Sequence, residues 1–148
     1  MRIVIQTLVE QDYKTVFQGF NRELFLSLRP PLMGLELKRF DGCKKGDTAS
    51  MELRPFYILR QAWTSLITDS GEESNGYFFV DESQTPDLPA PLKTWKHRHR
   101  VLQMPENACL ISDEIEYTAV FGLNWLMYPV LWLMFAWRKP IYKKYFKK

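Results

Sequence analysis

The chain has only two histidines, and they stand two residues apart in the segment Trp95-Lys96-His97-Arg98-His99. Alternate side chains of an extended strand face the same way. Trp95, His97, His99 and Val101 therefore share one face, and Lys96, Arg98 and Arg100 the other. A second extended run follows the turn Pro105-Glu106-Asn107. It carries Cys109, Ile111, Asp113, Ile115 and Tyr117 on one face and Ser112, Glu114 and Glu116 on the opposite one. A three-residue hairpin loop with Asn107 in the left-handed conformation sets His99 opposite Asp113, His97 opposite Ile115 and Trp95 opposite Tyr117. The same register sets Lys96 opposite Glu116 and Arg98 opposite Glu114, where opposite charges on neighbouring strands attract. A slip by two would keep the faces and change the partners.

Three uses of this constellation stand open. A histidine beside a carboxylate can act as a general base, can orient the polar end of a ligand, or can satisfy its own hydrogen bonds inside a core. His97, His99 and Asp113 could also point at one ion, but no further ligand is evident and the neighbouring face is aromatic, so neither a metal nor a cofactor is expected. Nucleophilic catalysis has no GxSxG motif to support it. Cys43 and Cys109 show no CxxC or Cys/His spacing and read as free buried thiols. There is no glycine-rich phosphate loop. Nucleic acid is not expected as a partner, because the acids beside Lys96, Arg98 and Arg100 largely cancel their field.

The elements that must position these residues follow from periodicity and turn chemistry. Arg2 to Val9 alternates and is rich in β-branched residues, a first strand. Asp12 can cap a short helix with Val16, Phe17 and Phe20 on one side, and a second short helix over Asn21 to Leu28 stops at Pro30 and Pro31. Strands are expected over Leu35 to Phe40, Thr48 to Leu53, Phe56 to Thr68 and Tyr77 to Asp81, with a proline-rich loop over Ser83 to Leu92. Aromatic residues make 15% of the chain, more than a compact core needs, which suggests a lined cavity or an interface. Trp63, Phe79, Trp95, Tyr117, Trp125 and Tyr128 are the candidates to line it.

Thr118 to Trp137 is twenty residues without a charge, and the last eleven residues then carry Arg138, Lys139, Lys143, Lys144, Lys147 and Lys148 with no acid. Such a run could span a membrane, but Gly122, Asn124 and Pro129 interrupt it, and a charged hairpin needs an apolar cover for its inner face. A helix lying across the sheet supplies that cover. Because the run is apolar nearly all round, a second face is left for a membrane surface or for a second subunit in a homodimer. The basic tail can meet anionic headgroups, or it can simply complement the negative end of the helix dipole. A length of 148 residues suits one domain over 1–148, and the N-terminal stretch does not read as a signal peptide, so a cytoplasmic location is expected.

The order strand, two short helices, six strands and long helix resembles the helix-grip fold of the START and SRPBCC superfamily. More specifically, Asp81, the proline-rich loop, Trp95-x-His97-x-His99, Asp113, Tyr117 and Arg138 look like the pattern of a bacterial SRPBCC subgroup. The resemblance covers essentially the whole chain. It implies an α+β architecture in which a curved antiparallel sheet of about seven strands surrounds a long C-terminal helix, with two short helices after the first strand. It further implies a cavity between sheet and helix for lipids, polyketides or aromatic compounds, and no particular reaction. The expected function is binding or carriage of an apolar small molecule, with His97, His99 and Asp113 at its polar end. Polyketide cyclase or dehydratase chemistry through His97 or His99, and membrane-surface interaction through the C-terminal helix, are the alternatives.

Overall fold

A computed structural model describes residues 1–147. Strand β1 (Arg2–Val9) leads into α1 (Tyr13–Gln18) and α2 (Arg22–Ser27). Six strands follow: β2 (Met33–Phe40), β3 (Thr48–Pro55), β4 (Gln61–Glu73), β5 (Gly76–Gln84), β6 (Leu92–Met104) and β7 (Ala108–Ala119). A single 3-10 turn over Val120–Gly122 then gives way to α3 (Asn124–Ala136) and α4 (Arg138–Tyr145). The strands form one antiparallel sheet in the order β1-β7-β6-β5-β4-β3-β2, so the strand that opens the chain pairs with the strand that closes the sheet. This is an α+β helix-grip arrangement.

Both short helices start where side-chain oxygens are available to orphan amides. The Asp12 carboxylate accepts from the Thr15 amide at 2.9 Å, and the Asn21 side chain accepts from the Leu24 amide at 3.0 Å. The hairpin of β6 and β7 has the expected register: Trp95 faces Tyr117, His97 faces Ile115, and His99 faces Asp113. Asn107 is left-handed at φ 56°, and Glu106 joins it at φ 60°. On the outer face the pairing of Lys96 with Glu116 and of Arg98 with Glu114 also holds, but the ion pairs form with other acids. Arg100 bridges Glu73 and Glu114, Arg98 reaches Glu73, and Lys96 reaches Glu82.

Three elements depart most from their expected bounds. The expected strand over Phe56 to Thr68 begins only at Gln61, because Phe56 and Tyr57 turn the chain with φ of 52° and 60°; it then runs on to Glu73. The strand expected to stop at Asp81 continues to Gln84, so Asp81 lies within the sheet. The C-terminal apolar run is shorter as a helix than its composition suggested. Its first residues complete β7 and the 3-10 turn, which holds Phe121 at φ 52°. Pro140 has no amide to offer the Ala136 carbonyl, and its ring crowds that carbonyl, which accounts for the break between α3 and α4 at Trp137. Among the described residues no helix is long and apolar enough to cross a membrane.

Two apolar clusters fill the concave side of the sheet. One gathers Ile3, Ile5, Trp63, Trp95, Ile115, Leu131 and Phe135 around α3. The other gathers Val9, Val16, Leu24, Val101, Ile111, Tyr142 and Phe146 around α4 and the two short helices. Between them the inward face carries a belt of buried polar groups, namely Thr7, His97, His99 and Asp113.

Candidate functional site

Three adjacent strands supply the side chains at the candidate site. Inward positions of β5 supply Phe79 and Asp81, those of β6 supply Trp95, His97 and His99, and β7 supplies Asp113. Asp113 Oδ1 lies 2.8 Å from His97 Nε2 and 2.8 Å from His99 Nδ1. His97 Nδ1 lies 3.0 Å from Asp81 Oδ2, so both nitrogens of that ring contact carboxylates. Asp81 Oδ1 accepts from Trp95 Nε1 at 3.0 Å and from the Ser65 hydroxyl, which in turn accepts from Trp63 Nε1 at 3.0 Å. From α4, the Arg138 guanidinium stacks 4.0 Å over the Phe135 ring and comes within 3.9 Å of Asp113.

Burial by itself opposes charge on His97, but Asp81 and Asp113 together outweigh it and raise the imidazole to about 9. His97 is therefore an imidazolium at neutral pH. Burial would likewise raise the Asp113 carboxyl, and His99 and His97 donating to one of its oxygens hold it well below the usual carboxylate range. For His99, burial dominates and lowers its pKa below the ordinary value, assisted by the cations at His97 and Arg138. His99 is neutral. A carboxylate oxygen only accepts, so the His99 hydrogen is on Nδ1 and Nε2 keeps a lone pair. That Nε2 is buried with no hydrogen-bond partner among the described residues, and so is the Tyr142 hydroxyl.

The belt borders a cavity of about 140 Å³ between the sheet and the helices. Its apolar wall includes Phe20, Leu24, Phe25, Met51, Trp63, Phe79 and Phe135, and its polar end includes His97, His99, Arg138 and Tyr142. The His99 ring stacks on Phe79 with centroids 4.9 Å apart and meets Phe20 at 4.2 Å. Cys43 faces the same space, with its thiol pushed up to about 12 by burial, which keeps it in the unreactive protonated form. A larger concavity of about 870 Å³ lies on the opposite face of the sheet. Thr48, Thr64, Thr68, Thr94 and Lys96 line it, with no buried unpartnered polar group among the described residues, so the inner cavity is the candidate site.

Of the residues singled out in the sequence, Trp63, Phe79, Trp95, His97 and His99 border the cavity, and Asp113 stands behind the histidines. Tyr117 is buried outside it: its hydroxyl donates to the Asn124 carbonyl at 2.6 Å and ties β7 to the start of α3. Trp125 and Tyr128 do not line the cavity at all, because α3 turns Leu131 and Phe135 inward and leaves Trp125 70% and Tyr128 39% exposed. Sequence reasoning missed Phe20, Phe135 and Tyr142 as wall residues. Tyr142 had a signal: Ile141, Tyr142, Tyr145 and Phe146 recur at helical spacing within a stretch read only as a basic tail.

His97, His99 and Asp113 offer donor atoms that lie within 4.8 Å of one another. The same atoms already make hydrogen bonds at 2.8 Å with a guanidinium nearby, an arrangement of protons on nitrogen rather than of lone pairs converging on a cation.

No protein-family model matches the chain, and no protein of curated function does. Solved structures do. Protein Ms6760 from Mycobacterium smegmatis superposes with a TM-score of 0.69 at 11% identity, over 97% of this chain and 88% of that one. CV1439 from Chromobacterium violaceum gives 0.66 at 14%, over 96% of each chain. Ara h 8.0201 gives 0.58 at 8%, over 96% of this chain and 97% of that one. At these identities the likeness is one of architecture alone, the helix-grip fold.

Proposed function

We propose that the protein binds an apolar small molecule in the cavity between the sheet and the C-terminal helices. The observation that carries this reading is an aromatic-walled space closed at one end by buried polar atoms without partners. Arg98 Nε and Ser112 Oγ are also buried without partners but do not border the cavity; the two orphans at its polar end are the ones a ligand there can satisfy. A volume of about 140 Å³ accommodates a single-ring compound. Lipids or polyketides would need Phe25, Met33 or Met134 at its border to swing aside.

Indole N–H signals test the proposal directly. Trp63 and Trp95 border the cavity, whereas Trp125 and Trp132 are exposed and serve as internal controls. Adding toluene should shift the first two and leave the controls in place. Shifts confined to the exposed tryptophans, or none, would refute cavity binding. Acid–base chemistry, were the protein a cyclase or dehydratase, would fall to His99, since His97 has both nitrogens engaged by carboxylates.

A second reading rests on a separate feature. Phe121, Trp125, Leu126, Val130, Leu133 and Trp137 are exposed along α3, and the chain has no acid after Glu116 while Lys139, Lys143 and Lys144 are exposed on α4. Apolar and aromatic residues flanked by uncompensated lysines suit an anionic bilayer surface. Flotation with phosphatidylserine-containing vesicles should succeed at low salt and weaken at high salt. Equal failure at both salts, with a dimer in sedimentation, would assign the face to a second copy instead.

A further inference from the structure

The cavity reading above leaves open what kind of polar group the ligand carries, and the free atoms at its polar end narrow that choice. His97 and Asp113 engage each other, and Asp81 is taken up by His97, Trp95 and Ser65. What remains is one acceptor, His99 Nε2, and one hydroxyl, that of Tyr142; both side chains are at most 1% exposed. Burial holds the Tyr142 hydroxyl in its protonated, donating form. The Arg138 guanidinium borders the same end.

Two constraints follow. An unprotonated nitrogen can be satisfied only by a group that brings a hydrogen, so a ligand whose polar end merely accepts leaves His99 unsatisfied. Charge gives the second. Around the polar end the carboxylates of Asp81 and Asp113 stand against the imidazolium of His97 and the guanidinium of Arg138, a balanced set; Arg29, a further cation on the cavity lining, is exposed to water. An added carboxylate would be an uncompensated charge in a buried space, beside a lone pair.

From these constraints we infer that the site takes a neutral, ring-sized hydroxyl compound of the phenol class. The hydroxyl donates to His99 Nε2 and accepts from Tyr142, and the ring lies among Phe20, Phe79 and Phe135. A hydroxyl is both donor and acceptor in one atom, which matches one free acceptor and one free donor. The inference rests on the cavity being a binding site, and the test separates the two.

Phenol, toluene and benzoate are titrated separately at pH 7 against the full-length protein, with the Trp63 and Trp95 indole signals as the readout. Phenol and toluene nearly match in size, so their ratio isolates the hydroxyl. Phenol should bind about tenfold tighter than toluene, the worth of one net hydrogen bond, and benzoate should bind more weakly than phenol. In 15N spectra of the histidine rings, phenol should move the unprotonated His99 Nε2 signal upfield, and toluene should not. His99→Phe keeps the packing on Phe20 and Phe79 but removes the acceptor, so its phenol-to-toluene ratio should fall to about one. Toluene binding as tightly as phenol, or benzoate tighter than either, overturns the hydroxyl assignment and leaves the cavity standing. If none of the three perturbs the two indoles, the cavity reading and this assignment fall together. Should His99→Phe not fold, the ratio and the 15N shift in the unaltered protein still decide.

Discussion

Asp113 is the hinge of the site at the scale of single residues, because one of its oxygens accepts hydrogen bonds from both histidines. That sharing sets opposite titration behaviour in two rings two residues apart. His97, raised to about 9 from 6.5, contributes stability that is fully present below pH 6.5 and lost as pH rises through 9. The loss amounts to roughly 3 kcal/mol for a shift of that size. His99 is lowered, so the unfolded chain takes up a proton below pH 6.5 that the folded one refuses, and stability falls as pH falls. Asp113, held low, adds a further loss once the pH drops below its ordinary 3.8. Urea denaturation across pH 5 to 10 should therefore show a maximum near pH 6.5. A flat profile between pH 6.5 and 9 would show that His97 is not the buried cation described here. Much of this residue pattern was legible in the sequence, since strand alternation put both histidines inward and the turn chemistry set His99 against Asp113. Asp81 enters the sequence reading through the family resemblance and as a strand end; its spacing from Phe79 puts the two on one face.

At the scale of elements, the hairpin was readable and the C-terminal helix was not, for a physical reason. A strand with one wet face alternates charge and hydrocarbon, so Lys96, Arg98 and Glu114 mark the outside and thereby the inside. The α3 segment is apolar all round, and no periodicity distinguishes the face that packs from the face that does not. The aromatic surplus makes Trp125 and Tyr128 cavity candidates; Leu131 and Phe135, four residues apart, occupy that place. The difference has a measurable consequence. Leu131→Ala opens a void against Ile5 and Trp95's cluster and should destabilise by about 2–5 kcal/mol. Leu133→Ala, on the exposed side, should change stability by less than about 0.5 kcal/mol. Comparable losses for both in denaturant melts would mean that α3 buries both faces in solution, as a dimer requires.

At the scale of the whole molecule, β1 pairing with β7 and the C-terminal helices crossing the concave face enclose two apolar clusters with a polar belt between them. The cavity lies where β2 to β6 meet α2, α3 and α4, and no single element makes it. Its existence could be expected from the aromatic surplus, but its size could not, because volume depends on rotamers that composition does not specify. The central claim is that this space receives a hydroxyl-bearing ring. A crystal structure of the protein soaked with phenol tests it most directly. The account predicts a ring between Phe20, Phe79 and Phe135, with its oxygen within about 3 Å of His99 Nε2 and of the Tyr142 hydroxyl. An empty inner cavity, or phenol held only in the open groove lined by Thr64 and Thr94, would contradict it.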